Sequence, residues 1–297
     1  MSFSDLKKQS KLGSLTSKLV REVEKMNTTS GGDERLWKPE VDKSGNGYAV
    51  IRFLPAPEGE DIPWVKMYSH AFQGPGGWYM ENSLTTLGSK DPVSEHNSQL
   101  WNSGSDANKE IARKQKRKLQ YFANILVIKD SANPANEGKV MLYRFGKKIF
   151  DKCMEAMQPA FEDEKPVNPF DFWEGADFKL KIRKVDGYWN YDKSEFDKPS
   201  PIFKNDDEIE AVWKKQYPLA EFSAESNFKS YDELKKRLDT VLAGTTTVGN
   251  VTTLMEDEPV VSTATVDTKE EPAPTPTVTE DDEDDTMSYF EKLAEEG

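Results

Sequence analysis

Cysteine and histidine are almost missing from this chain of 297 residues, which has one Cys and two His. Cys153 alone cannot form an internal disulfide, and with His70 and His96 it makes a thin supply of zinc ligands. A histidine-based general acid or triad would have to use one of those two rings. Long apolar runs are missing too: none nears the roughly 18 residues of a membrane span. Residues 1–5 (MSFSD) lack the charged-then-apolar layout of a signal peptide. There is no Walker-type phosphate loop, no dinucleotide glycine fingerprint and no paired-His metal motif. The expectation is a soluble protein of a reducing cytoplasm with no membrane partner, and enzyme is the weaker functional class.

What is abundant is charge, unevenly placed. The formal net charge is -13, from 40 basic and 53 acidic side chains. Residues 255–297 hold fifteen of the acids against Lys269 and Lys292, so they alone carry -13. The other 254 residues are neutral, with 38 bases and 38 acids. Acidity confined to a tail suggests an interaction or autoregulatory segment, with solubility as the plainer alternative. It says nothing against an anionic ligand for the rest of the chain.

Three regions follow. Residues 1–26 form a basic arm, with Lys7, Lys8, Lys11, Lys18 and Arg21 facing only Asp5 before Glu22. Leu12, Leu15, Leu19 and Val23 recur there at helical spacing. A frayed solubilising terminus is the alternative for this arm. Residues 27–32 (NTTSGG) read as a linker. Residues 33–244 are the core. Residues 245–297 begin with a Thr/Val linker, continue through a proline-stiffened stretch at 272–278, and carry the acidic run 280–285, a composition that predicts disorder. Within the tail, Ser288 and Glu291 form a capping box, and Met287, Phe290 and Leu293 share a helical face. That pattern fits a docking peptide.

In the core, residues 48–54, 121–129 and 139–145 predict strands, the last two as a hairpin-like pair with a longer loop. Residues 177–185 predict a strand with Phe178, Leu180 and Ile182 on one face and Lys179, Lys181 and Arg183 on the other. Helices are predicted over 147–158, 206–216 and from the capping box of Ser230 and Glu233 to Gly244. Cys153 lies on the apolar stripe of the first of these and reads as a small buried hydrophobe. Residues 62–108, rich in Gly, Ser and Asn, predict an irregular lobe.

Basic clusters alternate with aromatics along this core. Residues 109–118 carry Lys109, Arg113, Lys114, Lys116, Arg117 and Lys118 against Glu110 alone, and Tyr121 and Phe122 follow. Then come Tyr143 and Arg144, Lys147 and Lys148, the Lys179, Lys181 and Arg183 row, and Tyr188, Trp189 and Tyr191. Cations pair with phosphates, and rings stack on unpaired bases at about 1–3 kcal/mol per base, so the pattern suits a single strand. A duplex hides the base faces. A solvated basic face plus core aromatics is the competing explanation.

The strings GNGYAVIRFLP at 45–55, FANILVIKD at 122–130, NEGKV at 136–140, YRFGKKI at 143–149 and WEGA at 173–176 resemble the single-stranded DNA-binding, helix-destabilising proteins of T-even-type phages. The resemblance spans roughly residues 37–242. It implies an α+β protein: an OB-like β-barrel core with an irregular loop-rich lobe and packed C-terminal helices. It also implies a basic arm for cooperative self-association through Lys7, Lys8 and Lys11. The tail would meet polymerase, helicase loader, primase and recombinase partners in the host cytoplasm. Matched position by position, the family's basic cluster falls on Lys116, Arg117 and Lys118, and its DNA-facing aromatics on Tyr121, Tyr143, Tyr188 and Tyr191, with Trp101 in a loop. The hydroxyl residues that follow the family's basic cluster are replaced by Leu119 and Gln120.

The family's prototype holds structural zinc with one His and three Cys. Here His70 matches the His, while Ser83, Asp91 and Ser94 stand at the cysteine positions. Ser is a poor zinc ligand. The expectation is no cofactor and no metal, with the lobe held by Trp64, Phe72, Trp78 and Tyr79; a set of His70, Asp91, Glu95 and His96 is the chemical alternative. The functional expectation is a non-catalytic protein that coats single-stranded DNA cooperatively, with little sequence preference, in replication, recombination and repair. A single-stranded RNA-binding translational repressor and a carboxylate-metal nuclease are the competing classes.

Overall fold

The computed structural model describes residues 33–161, 163–185 and 188–243. The expected arm and tail, with Lys7, Lys8, Lys11 and the Ser288 capping box, lie outside the described residues. Contacts divide the chain into two compact units, 1–37 and 38–297. In the described part of the first, Arg35 Nε and Nη2 donate to the Asp33 carboxylate (2.9 and 2.8 Å) ahead of a two-residue strand, β1 (Leu36–Trp37).

The second unit is mixed α and β. Its described strands are β2 (Gly47–Phe53), β3 (Trp64–Gly74), β4 (Gly77–Asn82), β5 (Lys118–Asp130), β6 (Val140–Phe145), β7 (Phe178–Val185), β8 (Tyr188–Asn190) and β9 (Glu195–Phe196). Its helices are α1 (Pro92–Trp101), α2 (Asp106–Gln115), α3 (Lys147–Met157), α4 (Asp206–Trp213) and α5 (Tyr231–Ala243). β5 is the axis. One of its edges takes β3 along its first half, with Lys118 opposite Ser69 and Ala123 opposite Trp64. The same edge takes β2 along its second half, with Ile125 opposite Phe53 and Asp130 opposite Ala49. The other edge takes β6, with Tyr121 opposite Phe145 and Leu126 opposite Val140.

The closed barrel that the resemblance implies is not formed. The ladders run β6-β5-β2-β7-β8, with β3 and β4 branching from β5 and β9 from β7, and among the described residues none of β7, β8 and β9 pairs with β6. The outermost strands on the β7 side have three and two residues, too short to bridge back. In-out alternation along a strand is the same in an open sheet and in a barrel, so the sequence pattern does not separate them.

The sheet's core is aromatic. Phe53, fully buried, sits 5.4–5.8 Å, centroid to centroid, from Phe145, Phe170 and Phe178. Arg52 beside it is 1% exposed, yet its guanidinium is satisfied: Nε donates to Asp177 (2.8 Å) and Nη2 to the Ser200 carbonyl (2.9 Å). Cys153 is buried in α3, and burial pushes its thiol pKa up, so it is inert packing.

The region expected to be irregular is instead ordered: β3 and β4 form a hairpin, and α1 and α2 follow. The helix starts were legible, because Asp91 caps α1 from the side chain with Pro92 at its first position, and Ser105 stands at the N-cap position of α2. Polar composition masked them. Phe72 and Tyr79 stack (5.1 Å) in a cluster with Leu84, Val93, Leu234, Leu238 and Val241, so α5 supplies three of these seven buried side chains. Trp64, expected there, packs instead on Phe150 and Phe170 (5.3 and 5.1 Å). The Ser230–Glu233 capping box opens α5 as expected, Ser230 N–H donating to Glu233 (2.9 Å).

The hairpin tip meets the end of α5 without clearance. Gly76 N–H donates to the Val241 carbonyl (2.8 Å), and a Cβ at Gly76 would stand 2.2 Å from the Thr240 carbonyl oxygen. Gly76→Ala is therefore expected to lower unfolding stability by about 1–3 kcal/mol, the usual cost of overpacking. Urea denaturation monitored by tryptophan fluorescence checks this.

Candidate nucleic-acid interface

Strand parity assigns the faces. Trp64, Lys66, Tyr68 and His70 alternate onto one face of β3, where Trp64 and the neighbouring Tyr121 both pack on Phe150. Trp64 and Tyr121 belong to the core there, and beyond them the same face carries Lys66 and Tyr68. The Arg117 guanidinium lies 4.0 Å from the Tyr68 ring centroid and Lys66 Nζ 5.0 Å. Arg117 arrives with Lys116 from the short link between α2 and β5, and Lys118 opens β5 directly after it. Close by in sequence, Trp101 ends α1, with Lys109 Nζ at 5.7 Å and the Arg113 guanidinium at 5.4 Å from its ring. Rings with cations beside them combine the two chemical elements, an aromatic surface and positive charge, that stacking and phosphate contact require.

The other expected residues divide. Lys179, Lys181 and Arg183 form the expected row on β7, but each faces a carboxylate: Asp197 at 2.7 Å, Glu195 at 2.7 Å and Asp192 at 3.6 Å. The hydrogen bond from Lys179 is the main cause of a lowered Asp197 pKa, and that from Lys181 of a lowered Glu195 pKa. The row is neutralised in place. It is also distant from Arg117: Tyr48 pairs with Lys181, and Lys129 stands over Tyr48 at 5.9 Å, at the far end of β5. Lys118 and Lys129 are separated by roughly 37 Å along that strand at about 3.4 Å per residue.

Tyr121 and Tyr143 are 6% and 2% exposed. Tyr121 stacks on Phe150 at 4.0 Å and Tyr143 on Phe145 at 5.3 Å, so neither ring offers an open face. Arg144 is exposed on β6, opposite Phe122 and thus on the reverse side of the sheet from Tyr121. Lys147 and Lys148 begin α3, where Lys147 pairs with Asp151 (2.8 Å). Tyr188 is 39% exposed on β8, and Tyr191 is half-buried just beyond it. Sequence reasoning missed Lys66 and Tyr68. Their signal was the alternation from Trp64 to His70, hidden while 62–108 was read as irregular.

The positions that the resemblance associates with zinc do not fit that ion. Both His70 nitrogens are engaged, Nδ1 with the Gln115 carbonyl and Nε2 with Asp91 Oδ1, each at 3.1 Å. Asp91 also accepts from Ser83 Oγ (3.0 Å) and from the backbone N–H groups of Leu84, Val93 and Ser94 (3.1, 3.1 and 3.0 Å). A carboxylate with five donors has no lone pair directed at a cation, and the two serines are poor ligands. In the alternative set, Glu95 accepts from the Tyr231 hydroxyl (2.6 Å), and no group of metal-ligating side chains forms among the described residues.

A model of the gp32 DNA binding protein like family matches residues 45–242. The single-stranded DNA-binding protein of Enterobacteria phage T2 is 41% identical over 245 residues, covering 79% of this chain and 80% of that protein. That of Enterobacteria phage T4 is 41% identical over 244 residues, 79% of each. That of Enterobacteria phage RB70 is 37% identical over 115 residues, 36% of this chain and 95% of the relative.

Burial pushes the Asp91 carboxyl up, but the hydrogen bond and charge of His70, with donors from Ser94 and Ser83, more than offset it and hold its pKa at about 2 against an ordinary 3.8. The depressed value means stability that is present above about pH 4 and lost as pH falls toward 2. Asp91→Asn is expected to be less stable at pH 7. It should also lose roughly 1.5 kcal/mol less than the parent between pH 4.5 and 2.5. Urea melts at the two pH values test both.

Proposed function

The chain belongs to the gp32 DNA binding protein like family, and from that premise we propose that it coats single-stranded DNA cooperatively in phage DNA replication, recombination and repair. The observation that carries the reading is the Arg117 guanidinium held over Tyr68 at 4.0 Å, with Lys66 at 5.0 Å from the same ring. A base stacks on the ring while the cations meet the flanking phosphates, and neither contact reads sequence. Trp101 with Lys109 and Arg113 repeats the arrangement. Lys179, Lys181 and Arg183 form a second contact region whose carboxylates must yield before a phosphate binds. The role is binding rather than catalysis.

The flanking segments complete the proposal. The basic arm, through Lys7, Lys8 and Lys11, joins neighbouring copies along a strand. The tail, with its -13 charge, competes with nucleic acid at high effective concentration and docks replication and recombination proteins through Met287, Phe290 and Leu293. The site of action is the host cytoplasm.

Fluorescence titration with oligo-dT at two salt concentrations tests the site. Arg117→Ala weakens binding and lowers the salt slope by roughly 0.7, one phosphate contact on a single strand. Tyr68→Ala costs about 1–3 kcal/mol with the slope retained. Unchanged affinity and slope in both variants would remove this pair from the strand's path.

Deleting residues 1–21 separates the arm from the site. Binding to a short oligonucleotide stays nearly intact while cooperative coating of long strands is lost. Equal losses on both lengths would make the arm part of the binding site itself.

A further inference from the structure

We propose that the buried hydrogen-bond network of His70, Asp91, Ser83 and Asn97 is a metal-free clamp that positions Arg117 over Tyr68. The inference rests on the reading of Arg117 and Tyr68 as a strand-binding pair. It assigns His70 and Asn97 as positioning residues of that site.

The clamp closes on one atom. Gln115 is the last residue of α2 and is 6% exposed. The last carbonyls of a helix have no intrahelical donor. Here the Gln115 carbonyl receives two side-chain donors, His70 Nδ1–H and Asn97 Nδ2–H, each at 3.1 Å. His70 comes from β3 and Asn97 from α1, so the end of α2 is tied to two other elements. Lys116 and Arg117 are the next two residues, and β5 begins immediately after them. Where Gln115 is fixed, Arg117 has little freedom left.

The other end of the lever is the ring. Tyr68 precedes His70 by two residues on the same face of β3, and that face is held in register by β5 and β4. One strand thus carries both the anchor for α2 and the ring that Arg117 covers. The His70 ring is oriented by its second nitrogen, Nε2, which meets Asp91 Oδ1 at 3.1 Å. Asp91 is immobilised in turn by the Ser83 hydroxyl and three backbone donors. Bridging these three elements is work a structural metal could do; here hydrogen bonds do it, and the positions matched to metal ligands supply His70, Ser83 and Asp91.

The test divides the two nitrogens of His70. The amide of Gln reaches the position of Nε2, so His70→Gln keeps a donor to Asp91 and drops the bond to Gln115. The amide of Asn reaches the position of Nδ1, so His70→Asn keeps the Gln115 bond and drops Asp91. With oligo-dT at two salt concentrations, His70→Gln is expected to weaken binding about tenfold and to lower the salt slope as Arg117→Ala does, consistent with one lost charged contact. His70→Asn should bind more tightly than His70→Gln whatever its melting temperature. The double variant His70→Gln/Arg117→Ala should bind no more weakly than Arg117→Ala alone, because the clamp acts through Arg117. EDTA should change neither binding nor melting of the parent chain.

Additive losses in the double variant, or His70→Gln binding like the parent, would overturn the proposal; so would loss of binding in EDTA. If His70→Gln does not fold, Asn97→Asp, which removes the other donor to Gln115, is carried through the same cycle with the same criteria. If Arg117→Ala alone leaves affinity and slope unchanged, the strand-binding reading fails first, and the clamp proposal falls with it.

Discussion

Five donors converge on the Asp91 carboxylate: the His70 ring, the Ser83 hydroxyl and the N–H groups of Leu84, Val93 and Ser94. They come from β3, from the segment after β4 and from the first turn of α1. A buried carboxylate is costly unless it is fully hydrogen-bonded, and this one is. It sets where α1 begins, orients His70, and through His70 holds the end of α2. The apolar cluster of Phe72, Tyr79, Leu238 and Val241 supplies bulk stabilisation to the same lobe, but packing alone is non-directional. The polar network is what specifies how the helices are placed on the sheet.

The sheet distributes the chemistry through β5. This strand changes partners along one edge, from β3 to β2, and so carries one basic region at each end. At its start, Arg117 and Lys66 gather on Tyr68. At its end, Lys129 stands over Tyr48 near the β7 row, whose three cations are matched by Asp192, Glu195 and Asp197. Exposed ion pairs contribute little to stability, so these carboxylates act mainly on the local field. A sequence with balanced charge outside its tail can therefore hold regions of unequal field.

Much was legible in the residues. The strands at 121–129 and 139–145, the face alternation of β7, the α3 and α5 helices and the burial of Cys153 all follow from period, propensity and capping chemistry. The lobe at 62–108 was not, because its Gly, Ser and Asn composition resembles that of loops and hides Asp91 and Pro92, the local signal of a helix start. Tyr121 and Tyr143 illustrate a second limit. An aromatic beside a cation in sequence fits a strand-binding ring and a core ring equally well, and only the neighbours Phe150 and Phe145 decide between them.

The sequence by itself determined the family resemblance, the segregation of charge into a tail, the period of each long strand and the absence of thiols at Ser83, Asp91 and Ser94, because these are properties of order and residue type. Tertiary structure alone decided that the sheet stays open, that the β7 cations are neutralised, and that Tyr68 rather than Tyr121 lies under Arg117. Each of those depends on which residues distant in sequence meet: Lys181 with Glu195, Tyr121 with Phe150, and His70 with Gln115. Local periodicity says which face a side chain occupies. It carries no information about what the chain later lays against that face.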